Sequence, residues 1–133
     1  MIQSQGVDAK VRAGLRWPHL ALFLAALIAG CDSGPTAPSA AATITISAAG
    51  VSPREVRIKA WNYVTFVNND TRPHAMVSDP VDAHTQCPPV NRVGFLQAGE
   101  SRDTGTLNLT GVCGFHDHDN QSDAALKGRI VVE

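Results

Sequence analysis

Apolar and polar positions alternate at period two over several short stretches of the chain. Thr43-Ile44-Thr45-Ile46-Ser47 is the first, and Glu55-Val56-Arg57-Ile58-Lys59 repeats it with Val56 and Ile58 on one side. Between them, Gly50 to Pro53 reads as a turn cluster. Tyr63 to Val67 is β-branched and aromatic, as strands prefer. Asn68 to Pro73 then stops the run with turn residues, and His74 to Val77 resumes as a short strand. Ser78 to Asn91 carries three prolines and reads as an irregular loop. Ser101 to Leu109 is expected as a strand, with Thr104, Leu107 and Leu109 available to it, and Gly128 to Val132 closes the chain as another. No stretch keeps a helical period over a useful length. Short strands with frequent turn signals predict an all-β fold, an antiparallel Greek-key β-sandwich.

The first residues follow another logic. Lys10, Arg12 and Arg16 precede the apolar run Leu20 to Ile28, which is too short for an ordinary transmembrane helix. Basic and apolar parts in that order form a signal peptide. Its end, Leu27-Ile28-Ala29-Gly30-Cys31, resembles the bacterial lipobox, which implies that Cys31 is lipidated and becomes the first mature residue. The alternative is an ordinary signal peptide with a chance cysteine, and the polar lead before Lys10 fits a true start further along. The expected organisation is a lipoprotein signal peptide at 1–30, a lipidated Cys31 with a flexible tether to residue 42, and one domain at 43–133. The tether, DSGPTAPSAAA, is small and lacks large apolar residues. The expected location is the bacterial cell envelope, lipid-anchored and facing the periplasm or outside.

Composition narrows the function. The chain has 133 residues with a formal net charge of −1, which suits one domain and argues against a nucleic-acid binder. Eight prolines and 11 glycines show no repeat period. No Gly-rich phosphate loop or nucleophile elbow occurs, so a hydrolase is unsupported and the protein is read as no enzyme. With Cys31 taken by lipid, Cys87 and Cys113 remain, in a compartment where they could bond to each other.

The chemistry lies with histidine and cysteine. His74 follows the turn residues Asn68 to Pro73, and Cys113-Gly114-Phe115-His116 sits near the C-terminus between two expected strands. A sandwich gathers its loops at its ends, so these residues can meet there. Two imidazoles and a thiolate in a near plane make a trigonal blue-copper site. Asp70, Asp79 and Asp82 lack the donor spacing of a calcium loop, and zinc stays open in principle.

These residues resemble the cupredoxins, the plastocyanin and azurin type. ITISAAGVSPREVRIKAWNYVTFVNNDTRPH is similar to the opening of such a domain, VCGFHDH to its Cys-x-x-His ligand loop and LKGRIVV to its closing strand. The resemblance spans Thr43 to Val132. It implies one copper ion held by His74, Cys113 and His116. The family's axial Met is missing, since the only methionines are Met1 and Met76; the closing KG puts Leu126 in that place, and the interval from the Cys puts Gln121 there. His118 and His84 are further candidate ligands, with Asp117 and Asp119 available to orient imidazoles. If Cys87 bonds Cys113, the thiolate is lost and an all-nitrogen set of His74, His84, His116 and His118 takes its place.

Three functions compete. The first is one-electron transfer through a mononuclear copper site. The second is copper capture or delivery by a histidine-rich site with a Cys87–Cys113 disulfide. The third is a structural domain that has lost its metal. The expected partners are a redox protein, or a copper donor or acceptor, met transiently by a monomer attached to the membrane through its lipid, with no nucleic acid.

Overall fold

The structure is a computed structural model that describes residues 40–133. The signal peptide, Cys31 and nearly all of the tether expected from the sequence lie outside the described residues.

Nine strands form two sheets, and no α-helix occurs among the described residues. β1 (Ala40–Ser47), β2 (Gly50–Ser52), β4 (Tyr63–Asn68) and β7 (Ser101–Asp103) make a four-stranded sheet in the order β2-β1-β4-β7. β3 (Glu55–Ile58), β5 (His74–Ser78), β6 (Gly94–Leu96), β8 (Gly111–Asp117) and β9 (Lys127–Val132) make a five-stranded sheet in the order β3-β9-β8-β5-β6.

The expected sandwich is present, but its sheets are mixed rather than purely antiparallel. β1 runs parallel to β4, and β3 runs parallel to β9. The reason lies at Ser52-Pro53. The chain turns back after β1, runs through β2, and continues at once into β3 in the other sheet. Proline has no N–H for a ladder, so the run breaks there. Splitting one strand direction across two sheets leaves β1 and β4 side by side and pointing the same way. The β1–β2 turn depends on Gly50, whose φ is +109° and which lies against the backbone of Ala125, where a Cβ would clash.

The core lies between the sheets. Ile44, Ile46, Val64 and Phe66 come from the first sheet; Met76, Leu96, Phe115, Ile130 and Val132 come from the second, all nearly or fully buried. Phe66 and Phe115 meet edge to face across the layer, ring centroids 5.0 Å apart. Leu126, in a short 3-10 turn at Ala124–Leu126, joins the same core.

Four segments depart from the expected pattern. Gly50 to Ser52 is a strand as well as a turn, and Gly94–Leu96 adds an edge strand beside β5. The strand expected over 101–109 stops at Asp103. There the Thr104 hydroxyl accepts from the Val64 N–H, and the Gly105 N–H turns away to the Pro89 carbonyl. The fourth departure matters most. Cys113 to His116 is not a loop but part of β8, an inner strand paired on both sides, with β5 and with β9.

Candidate metal centre

Strand geometry divides the candidate ligands. Alternate residues of a strand face opposite sides. In β8, Cys113 and Phe115 pair with Ile130 and Gly128, and the buried Phe115 and Ile130 place this set toward the core. Gly114 and His116 therefore face the outer side. Asp117 is directly opposite Met76, so His74 is level with position 119, six residues beyond Cys113. That is a separation of about 20 Å along the strands. His74, Cys113 and His116 thus do not converge on one ion, and the ligand set implied by the resemblance is not assembled. Cys113 is moreover bonded to Cys87, with Cα atoms 5.3 Å apart, so it presents no thiolate.

His74 has other work. It is fully buried, its Nδ1 2.8 Å from Asp117 Oδ2 and its Nε2 3.1 Å from Asp70 Oδ2. Both ring nitrogens are taken by carboxylates, and neither is left for a metal. Asp70 also receives Arg72 (Nη2 at 3.0 Å) and the Thr71 N–H. Burial works to raise the Asp70 carboxyl, but hydrogen bonds from Arg72, His74 and Thr71 together hold it down at about 2. Asp117 is also lowered: burial opposes this, but donors from His74, Asn120, Ala75 and Asp119 outweigh it.

These shifts carry a pH dependence. A carboxyl depressed in the folded state stabilises the fold above its unfolded value and loses that contribution as pH falls through its folded value. Stability is therefore expected to decline between about pH 4 and pH 2 as Asp70 and Asp117 take up protons. Urea midpoints measured down this range should fall less steeply for Asp70→Asn, which starts lower; equal slopes would show that Asp70 is not a source of the decline.

Three of the candidate ligands gather on the outer face of the second sheet. His84, His116 and His118 each offer a nitrogen, and these atoms all lie within 4.8 Å of one another. His116 comes from β8. His118 opens a short turn whose fold Asp117 fixes by accepting from the Asp119 N–H and the Asn120 amide. His84 comes from the loop after β5, which lies across β8. Its backbone is left-handed at φ 53°, a region in which histidine is enriched among non-glycine residues. That conformation is held from both sides, by its N–H to the Pro80 carbonyl and by the Asn91 amide to its own carbonyl.

His116 shows the site's polarity most clearly. Asp79 Oδ1 lies 2.7 Å from its Nδ1, which fixes that nitrogen as the N–H donor. Its Nε2 is buried and has no hydrogen-bond partner. A buried imidazole nitrogen with a lone pair and no donor facing it is costly unless something else binds there. The carboxylate–imidazole pairing is the arrangement by which metal-ligating histidines are oriented and made more basic. Across the cluster, His118 Nδ1 lies 3.2 Å from His84 Nε2 and 3.3 Å from the Gln121 amide nitrogen. His118 is exposed and His84 half-buried, so the cluster opens outward. Three imidazoles without a thiolate suit Cu(II) or Zn(II) and leave a coordination position free.

Gly114 makes room for this. A Cβ there would collide with the Asp79 carboxylate and come within 2.9 Å of Gln86 Oε1, which accepts from the Gly114 N–H. The expected ligands divide accordingly: His84, His116 and His118 are together, whereas His74 is in the core and Cys113 is in a disulfide. Leu126 has no donor atom and packs in the core, and Gln121 reaches His118. Asp117 does orient an imidazole, but it is that of His74. Asp79 and Gly114 had no distinguishing signal in the sequence, because their role depends on how the loop folds over β8.

No protein-family model matches the chain, and no curated protein matches it. Solved structures do. A purple cupredoxin from Nitrosopumilus maritimus aligns over 69% of this chain and 99% of its own, at 20% identity and a TM-score of 0.54. The fold is that of a cupredoxin domain. The oxidised plastocyanin of Dryopteris crassirhizoma aligns over 68% of this chain and 99% of its own, at 17% identity and a TM-score of 0.54. Amicyanin from Paracoccus versutus covers 76% and 86%, at 18% identity and 0.54. In this cupredoxin-like fold the grouped candidates sit on the outside of a sheet, with His116 and His118 on either side of a residue, Asp117, that belongs to the interior.

Proposed function

We propose that the cupredoxin domain binds a single copper ion through His84, His116 and His118, and that it handles copper rather than carrying electrons through a thiolate site. The observation behind this is the orphaned Nε2 of His116, fixed by Asp79 and set beside two further imidazoles. Cu(II) is favoured over zinc at such nitrogen sites by intrinsic affinity. The bound ion would supply a redox-active Lewis acid with an exchangeable position. His116 would anchor it, and the exposed His118 would be the ligand that a copper donor or acceptor reaches first. Transient docking would suit such an exchange. The lipobox-like Cys31 supports a place on the bacterial envelope membrane, with the domain standing off on its tether.

One-electron transfer is the second reading, supported by the likeness to cupredoxins solved in oxidised and reduced states. It requires low-cost cycling between the two copper states, and a free thiolate at Cys113 would be its signature.

Titration of the full chain in detergent with Cu(II), followed by visible absorption and electron paramagnetic resonance, separates the two. The copper-handling reading expects one equivalent bound, a weak pale-blue band and nitrogen hyperfine structure. An intense thiolate-to-copper band would overturn it in favour of electron transfer.

A further inference from the structure

The disulfide and the imidazole cluster share one loop. Residues 79–87 supply Asp79 and His84 at the site and end at Cys87, which is bonded to Cys113 on the same strand as His116. The other ties between this loop and β8 are single hydrogen bonds: Asp79 N–H to the Gly114 carbonyl, Gln86 to the Gly114 N–H, and Asp79 to His116. The disulfide is the covalent link between them. Cys113 faces inward and His116 outward, so the sulfur can hold the loop without competing for the ion.

We propose that the Cys87–Cys113 bond keeps the three-imidazole site assembled, so that a dithiol reductant releases the metal; this rests on the site proposed above. The exchange is balanced: the dithiol gives two electrons and two protons, the Cys87–Cys113 bond becomes two thiols, and the reductant becomes a disulfide. His84 is three residues from Cys87, and once the bond is open its position depends only on hydrogen bonds, those to Pro80 and Asn91 and those that tie the loop to β8. The entropy of ordering the loop then has to be met by metal binding, which weakens it. An approach to the sulfurs exists: both cysteines line a cavity of about 190 Å³ together with Pro88, Pro89 and Leu107. Linkage is reciprocal, so the bound ion must also protect the disulfide.

Zn(II), which does not cycle in oxidation state, is the probe for both directions on the full chain. The Cys87→Ser, Cys113→Ser double variant, with neither bond nor thiols, is expected to bind Zn(II) about 10- to 100-fold more weakly than the oxidised protein, the range seen when residues that orient ligands are lost. Affinity within about twofold of the oxidised protein would overturn the proposal while leaving the metal site standing. Should the double variant not fold, the wild-type disulfide decides. Its equilibrium constant for reduction in a dithiol–disulfide buffer is expected to fall about tenfold or more with saturating free Zn(II), and to be indifferent to Zn(II) in His84→Ala. Reduction unaffected by Zn(II) in a protein that binds it would overturn the coupling alone. Failure of the oxidised protein to bind Zn(II) or Cu(II) would overturn the site and the coupling together.

Discussion

His74→Ala is expected to cost several kcal/mol of stability and to leave copper stoichiometry intact wherever the variant remains folded. His74 is wholly buried between Asp70 and Asp117, and both carboxyls are held in the ionised form. Removing the ring strands Asp117, buried at 0% exposure, without its principal partner from the neighbouring strand. Breaking a buried pair by deleting one member typically costs about 3–5 kcal/mol, because the remaining charge stays desolvated. Asp117 also fixes the turn that bears His118, so copper affinity should weaken modestly while the equivalence point stays at one. Urea unfolding beside a copper titration checks both parts. A stable variant that no longer binds copper would return His74 to the ligand set.

The second large effect concerns the site itself. His84→Ala combined with His118→Ala is expected to abolish specific Cu(II) binding and to leave stability nearly unchanged. Both are loop residues with at least part of the ring in solvent, and neither belongs to the core. Substitutions of that kind usually stay within about 0.5 kcal/mol in stability. Affinity, by contrast, loses two of three donors, and one imidazole cannot chelate. Competition with a chelator of known strength should place the loss at about 100-fold or more, beyond the 10- to 100-fold range of a lost orienting residue. Unchanged affinity in the double variant would overturn the all-imidazole site.

The fold was readable in the sequence where one face of a strand meets solvent. Ile44, Ile46, Val56 and Ile58 alternate with polar residues, and each is buried as the alternation demands; Val64 and Phe66, in a strand read from its β-branched and aromatic content, are buried too. β8 was not readable in that way. Cys113 to Asp117 are all buried, because the core covers one face and the 79–87 loop covers part of the other. Burial on both faces erases the alternation that marks a strand, and polar His116 and Asp117 within it suggest a loop instead. The error in the ligand set follows directly. In a loop, Cys113 and His116 can turn toward one ion; in a strand, an odd interval of three sends them to opposite faces. The three histidines that the structure groups, His84, His116 and His118, were all among the candidate ligands. Their grouping needed the register of β5 against β8 and the path of the loop. The disulfide was open on compartment alone and needed the Cα separation.

The two faces of β8 also set how this strand can change. Each substitution at Cys113, Phe115 or Asp117 is tested by the interior, and each at Gly114 or His116 by the loop and its cluster. The two sets can drift independently while the chain length holds. Loss of a single residue between Cys113 and His116 would break that independence. It would leave the downstream half paired as it is, but would move Cys113 one place along the register, onto the outer face that Gly114 now occupies. The cross-link to the loop would then be lost without any change to a histidine. Length, more than residue identity, is therefore the property of this segment that descent has least freedom to alter.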